Sequence, residues 1–494
     1  MKSVNCFHAC GLLMCILIPL TTSHTGQAQW EETAQLTYNA MDDEMYGAGQ
    51  HSLVLDNQGY CHLIWFAGSD YLMHQIFYAT NASGSWVPTQ LTNTSLYNRW
   101  PSLAVDNMDA IHAVWMYSFK LTYATNQNGD WETSSIAPSY LAYCSSIALD
   151  SNRNVHIAFA NPYPGLVYTT NESGEWILED IALGLSNEWP TLGIDPSDGV
   201  HVAWLRGETE EDFQVFYATN GSGQWLITQL TSSSVGTQSP SLDIDQSGFI
   251  HIAWTQEVDD TTAQLFYATN ASGHWETAQI TDSQGLKYTP SLAVDPFGYI
   301  HIAWTGDTGT SNHIVYTNNI NGFWITDRVP TSDSTCMYPN IAVDTDTSVH
   351  IAYCSTADGG DLDIFYVKHF GPNVAIEESR TFQTPTSFHL CQNYPNPFNA
   401  ATTIHYTIPS REHRAMGEEK SVRPSHFPLH IKLKIYNILG REVRTLVDEA
   451  KETGFYTVGW DGRDAFGQQV PSGVYFYRLN AGVYMGTKSM LLIQ

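Results

Sequence analysis

The chain is poor in positive charge. It carries 21 Lys+Arg against 50 Asp+Glu, a net of −29, and charged residues make up only 14% of its 494 positions. The deficit is local: residues 31–373 hold 39 acidic against 7 basic side chains, and residues 374–494 hold 11 against 13. So acidic a surface repels nucleic acid and anionic membranes, and leaves neutral ligands such as sugars, or cations, as the easier partners. Long apolar runs are also lacking. The stretch Gly11–Leu20 is too short to cross a bilayer. It suits the apolar core of a signal peptide: Lys2 is the only charge before Glu31, and Gly26-Gln27-Ala28 offers a cleavage site before Gln29. Residues 1–28 are therefore expected to be removed and the mature protein to be secreted or displayed at the cell surface. Cysteine is scarce, with three of eight inside that leader. The others, Cys61, Cys144, Cys336, Cys354 and Cys391, are odd in number, widely spaced and without a CxxC pair. No disulfide framework or zinc site follows from them. One bridge between neighbouring repeats and buried free thiols both stay open.

What the chain does have is a repeat. HSLVLDNQGYCHLIW, PSLAVDNMDAIHAVW, SSIALDSNRNVHIAF, PTLGIDPSDGVHVAW, PSLDIDQSGFIHIAW, PSLAVDPFGYIHIAW and PNIAVDTDTSVHIAY are seven copies of one unit. The Asp falls at 56, 106, 150, 195, 245, 295 and 344, a mean spacing of 48, and a His follows each by six residues. Each unit continues as FYATNASGxWxxxxLT, with Tyr at 78, 123, 168, 217, 267, 316 and 366. The Trp of that second pattern recurs only six times, at 86, 131, 176, 225, 275 and 324. The seventh is found at the other end: QWEETAQLT, Gln29–Thr37, matches HWETAQIT, His274–Thr281, so Trp30 supplies the missing strand. Four short β-rich runs per unit, at this period and with a strand exchanged between the ends, predict an all-β seven-bladed β-propeller over residues 29–370. Each unit is apolar on both faces and is buried only by two neighbours.

The turn TNxSGxW stands where the BNR/sialidase-like propellers carry their Asp-box, and the repeat resembles that group in architecture, although the Asp of the box is absent. Residues 371–388 are polar, hold two Pro and read as a linker. From 389 to 494 the motifs QNYPNPFN, IYNILGREVRTLV, WDGRDAFGQQVPSGVYFYRL and KSMLLI follow in order. These resemble the C-terminal sorting domain of the type IX (Por) secretion system, whose fold is similar to the FlgD immunoglobulin-like domain. The resemblance implies a β-sandwich of about seven short strands that engages the outer-membrane secretion machinery. Ser410–Pro428 enlarges a loop that is usually short in that family.

The seven repeated His stand one per blade, too far apart in a ring to share a metal, and are expected to satisfy buried polar groups. Function is expected where the repeats differ. The residues six and seven before each Asp vary, and the ring places them at the channel mouth. Arg99, Trp100, Tyr143, Glu188, Trp189, Gln238, Tyr288 and Tyr338 make an aromatic, hydrogen-bonding rim suited to a glycan or a peptide. In the first unit the same count gives Gly49 and Gln50. The sialidase arginine triad is not matched, because Arg99, Arg153, Arg206 and Arg328 occupy different places in their repeats. Glu188 and Tyr288 are the rim's acid or nucleophile candidates, and ordinary glycoside hydrolysis needs a second carboxylate that the rim does not show. The expectation is a monomeric secreted or surface binding protein without a cofactor. A hydrolase or lyase on the same face and a purely structural surface protein are the alternatives. Acidic loops such as Asp358–Asp363 are oxygen-rich enough for Ca²⁺, but lack EF-hand spacing.

Overall fold

In the computed structural model, the described residues are 30–370 apart from 39–40, 46–50, 69–72, 138–139, 162–164, 210–211, 234, 260, 308, 310, 321, 332–334 and 357–359, together with 388–390, 393, 398, 402–408, 429–452, 454–482 and 484–493. The leader, most of the linker, Cys391, the enlarged loop before Leu429, and Gly49 and Gln50 lie outside them. The described residues are all β and contain no helix.

From Ala34 to His369 they form seven antiparallel sheets, six of four strands and one of five, in a propeller-like arrangement. The fifth sheet is representative: Thr237–Ile244, Ile250–Asp259, Thr262–Thr269 and Glu276–Gln279 pair in chain order. Burial follows sequence. The second strands, such as Cys61–Gly68 and Val155–Asn161, are buried at every residue because a neighbouring sheet covers each face. The outermost strands, such as Val87–Gln90 and Leu226–Gln229, carry polar residues and are exposed throughout.

The repeated Asp makes the first turn. Asp56 Oδ1 accepts the N–H groups of Gln58 and Tyr60, and the other six Asp repeat the pair of bonds. The turn needs a positive φ three residues after the Asp: Gly59, Gly248 and Gly298 supply it freely, and Asp109, Arg153, Asp198 and Thr347 adopt it.

Ala34–Gln35 pairs with Phe365 and Tyr366, so the N-terminal strand forms the edge of the sheet that holds the last repeat. Each repeated Tyr packs edge-on against the repeated Trp of the following sheet, from Tyr78–Trp131 through Tyr316–Trp30 to Tyr366–Trp86, with centroids 4.9–5.7 Å apart. The first strands also touch in a circuit, and Leu53–Leu55 contacts both Asn98–Val105 and Cys336–Val343. Beyond His369, sheets of three and four strands share one core that includes Trp460, Tyr477 and Leu479.

Candidate functional site

The repeated His and Tyr are spent on each other in all seven sheets, and in four of them the His also bonds the repeated Asp. His301 Nδ1 meets Tyr316 Oη at 2.6 Å and its Nε2 meets Asp295 Oδ2 at 3.4 Å. All seven His make the Tyr bond, at 2.5–2.7 Å. Burial lowers the pKa of His62, His112, His156, His201 and His251, against the upward pull of their Asp neighbours. These are neutral structural groups within single sheets. Cys61 adds a deceptive geometry: its Sγ lies 3.2 Å from His350 Nδ1, and His350 Nε2 lies 3.1 Å from Asp344. Yet Cys61 is fully buried, and burial pushes its thiol up to about 12. No substrate reaches it, and a nucleophile needs a thiolate. The four described cysteines are all free and buried.

The rim is built by a bulge. In five first strands the ladder skips two residues, as between Arg99 and Ser102 or between Glu188 and Thr191; in the third sheet it skips one, between Tyr143 and Ser145. Trp100, Cys144, Trp189, Ser239, Thr289 and Tyr338 occupy these bulges at φ of 22–55°. All but Cys144 precede a proline, which has no N–H for the ladder and so is tolerated in a bulge. A non-glycine residue held there costs on the order of 1–3 kcal/mol, and the surrounding packing must offset it.

That backbone turns the aromatic side chains together. Trp100 lies 5.7 Å from Tyr143 and, edge-on, 6.2 Å from Trp189, which comes from two sheets further on. Tyr143 also meets Phe119, which meets Tyr97. All three predicted rings are half-buried. Below them His51 Nε2 meets Thr191 Oγ1 at 3.1 Å, joining the first sheet to the fourth, and burial pushes His51 down to about 4.

The other predicted residues divide into two groups. Arg99 donates Nε–H to His74 Nδ1 at 3.1 Å and acts electrostatically on Glu44. Burial raises the pKa of Glu44, and burial together with Glu44 raises that of Tyr338. On the other side Gln238 Nε2 donates to Glu257 Oε1 at 3.0 Å, and Tyr288 is held protonated by burial with Asp307 and Glu257 nearby. Glu188 Oε1 accepts the Ser186 hydroxyl at 2.8 Å. Glu188 and Tyr288 are thus each engaged with other neighbours.

Glu44 is the residue that counting misses. It pairs with Phe66 as Arg99 pairs with Met116, each partner following the repeated Trp. Glu44 therefore takes the place that the spacing assigns to Gly49. It stands twelve residues ahead of Asp56, whereas Arg99 stands seven ahead of Asp106. The Asp43 anchor was the available signal: Trp65 Nε1 donates to Asp43 as Trp115 donates to Asn98 and Trp204 to Asn187.

Comparison with known proteins bears on the fold. A polysaccharide lyase of a new family, PL25 ulvan lyase, described as bound to -[GlcA(1-4)Rha3S]-, aligns with a TM-score of 0.50 at 12% identity, over 67% of this chain and 95% of its own. PorZ of Porphyromonas gingivalis, described as an essential surface component of the type-IX secretion system, aligns with a TM-score of 0.45 at 13% identity, over 90% of this chain and 59% of its own. At such identity the lyase shares the fold alone. No curated protein matches, and neither a BNR/sialidase-like nor a sorting-domain family model does. Residues 420–482 match the family model of the FlgD Ig-like domain. The chain thus joins a propeller-like array of sheets to a FlgD Ig-like domain at its C-terminal end.

Proposed function

We propose that this chain is an exported glycan-binding protein. In this reading residues 29–370 close as a seven-bladed ring, the linker 371–388 follows, and residues 389–494 direct outer-membrane export in the manner of the type IX sorting domains they resemble. The protein is read as a monomer at the cell surface or in the medium. The edge pairing of Ala34–Gln35 and the circuit of first strands support ring closure.

The observation that carries the ligand reading is the meeting of Trp100, Tyr143 and Trp189 at one end of the first strands. Half-buried rings offer apolar faces to the C–H face of a sugar, and Arg99 and Glu188, which directly precede Trp100 and Trp189, offer groups for its hydroxyls. A screen of neutral and acidic polysaccharides, the polymer of the lyase included, tests it on the full mature chain with and without Ca²⁺. We expect saturable binding to one sugar class that Trp189→Ala abolishes. Binding to none of them sinks the glycan reading and moves the weight to a protein ligand.

A second reading has its own observation. Burial raises the pKa of Glu44 beside Arg99 and Tyr338, which keeps an acid next to a cation and a phenol at the same rim. That combination favours a glycan-active enzyme. Turnover of the bound sugar, lost in Glu44→Gln while binding survives, is its signature.

A further inference from the structure

The second sheet turns from its second to its third strand in two residues, Ser118 and Phe119, both at positive φ. Asn and Gly are the usual occupants of such a turn, and other residues held there cost on the order of 1–3 kcal/mol each. Backbone bonds hold it in place. Ser118 N–H donates to the Tyr97 carbonyl at 3.1 Å, and the Phe119 carbonyl accepts the Ala142 N–H at 2.8 Å. The Phe119 ring is thereby wedged between Tyr97 and Tyr143. Tyr97, Phe119, Tyr143, Trp100 and Trp189 form one run of half-buried rings, with successive centroids 5.3–6.2 Å apart. The run crosses from the second sheet to the fourth. It is longer than one sugar ring and suits a chain of them.

Charge at this end of the first strands is unevenly shared. The first sheet brings Glu44 there, the fourth Glu188, the fifth Glu257, the sixth Asp307 and the seventh Asp363. The second and third sheets differ. Residues 91–105, 116–122 and 137–149 contain no Asp or Glu, and neither does the hairpin closed by Asn161 and Gly165. They hold cations instead. Arg99 precedes Trp100 and Lys120 follows Phe119, two of only seven basic residues between 31 and 373. Lys120 pairs with Tyr117 and Tyr117 with Asn98, so both cations flank the run within one sheet. Lys120 is exposed, and Arg99 is half-buried against His74.

Taken whole, so acidic a domain repels a polyanion. At physiological salt, however, an exposed charge is felt over only about 8 Å. The sign of the local sector therefore decides what docks, and the acidic sheets on either side keep an anion off the rest of the face. The local reversal of sign coincides with the aromatic run.

Resting on the glycan reading of the rim, we propose that its ligand is an extended acidic glycan, a polymer of uronic acid or sulfated sugar units. The chain lies along the five rings with its anionic groups toward Arg99 and Lys120.

Calorimetry on the full mature chain tests this with two matched pairs: polygalacturonate against its methyl ester, and dextran sulfate against dextran. Saturable binding of a charged member and none of its neutral twin is expected, and the pair that responds tells carboxylate from sulfate. A hexamer of the bound polymer should bind about tenfold more tightly than its dimer, and Phe119→Ala should shrink that advantage. Lys120→Gln should weaken binding about fivefold. Gln246→Glu makes the same change in net charge at the other end of the first strands and should leave binding unchanged. Equal binding of a neutral twin overturns the proposal and leaves the glycan reading standing. So does a hexamer no better than its dimer, or a Lys120→Gln effect no larger than that of Gln246→Glu. Failure of both charged polymers, while a neutral polysaccharide binds, overturns the proposal alone; failure of every sugar overturns both.

Discussion

Trp30 stands edge-on to Tyr316, with ring centroids 5.7 Å apart and planes at 90°, although one residue opens the array of sheets and the other lies in its sixth repeat. Trp30 also packs on His369, at 4.7 Å. It therefore fills the place that Trp324 fills against Tyr267.

This contact predicts a stability cost far from any site. Trp30→Ala removes a half-buried indole and an edge-to-face pair, a loss of about 2 kcal/mol. Trp86→Ala, the equivalent change against Tyr366, should cost a similar amount. Urea midpoints measure both. An unchanged midpoint for Trp30→Ala would mean that the N-terminal strand does not hold the last sheet.

Acid should unfold the array of sheets earlier than carboxylate titration alone would. Burial lowers His51, His62, His112, His156, His201, His251 and His369, the first and last to about 4. Each is harder to protonate folded than unfolded. Below the unfolded value near 6.5, the unfolded chain takes up protons that the folded chain refuses, so stability is intact above 6.5 and falls as pH drops toward 4. Glu44 and Asp243 act the other way: burial raises both, Asp243 to about 6, and they add stability as pH falls. Seven groups outweigh two. Asp344, held at about 2 despite burial by His350, a turn N–H and Lys368, loses its share only below about 3.8. Melting temperatures between pH 7 and 4 should drop steeply, and a flat profile over that range contradicts the assignment.

How much of this was legible depended on what the repeat preserves. The Asp, His and Tyr recur at nearly constant spacing, so the four-stranded unit and the structural role of His301 follow from periodicity. The exchange of Trp30 follows because QWEETAQLT keeps its pattern. Glu44 is hidden because extra residues between it and Asp56 break the count, and pairing with Phe66 is needed to reveal it. The meeting of Trp100 with Trp189 is hidden for another reason: it depends on how separate sheets are placed against one another, and neither residue's neighbours in sequence encode that. Phe119 and Tyr97 occupy no repeated position at all.

The cysteines should behave as core residues. Cys61, Cys144, Cys336 and Cys354 are buried, and burial raises the pKa of each thiol. Iodoacetamide applied to the folded protein at neutral pH should leave all four unmodified, and should label all four after unfolding in denaturant without reductant. Peptide mapping by mass reads both states. Modification of Cys61 in the folded protein would show that the Cys61–His350–Asp344 order is accessible and reactive.

Trp189→Ala should change the rim without unfolding the sheets. The indole is half-buried and holds the edge of Trp100 at 6.2 Å, so its loss should cost about 1–2 kcal/mol and release Trp100 to solvent. Three signals should separate this from general unfolding. The near-ultraviolet circular dichroism of the paired indoles should fall. Tryptophan emission should shift to the red by the small amount that one newly wetted ring contributes. The far-ultraviolet spectrum should stay that of the parent, because Thr191, two residues on, still pairs with Ala203 and bonds the N–H of Leu242. If near-ultraviolet signal and emission are both unchanged, Trp100 and Trp189 do not meet in solution, and the rim has no preformed aromatic surface to offer a sugar.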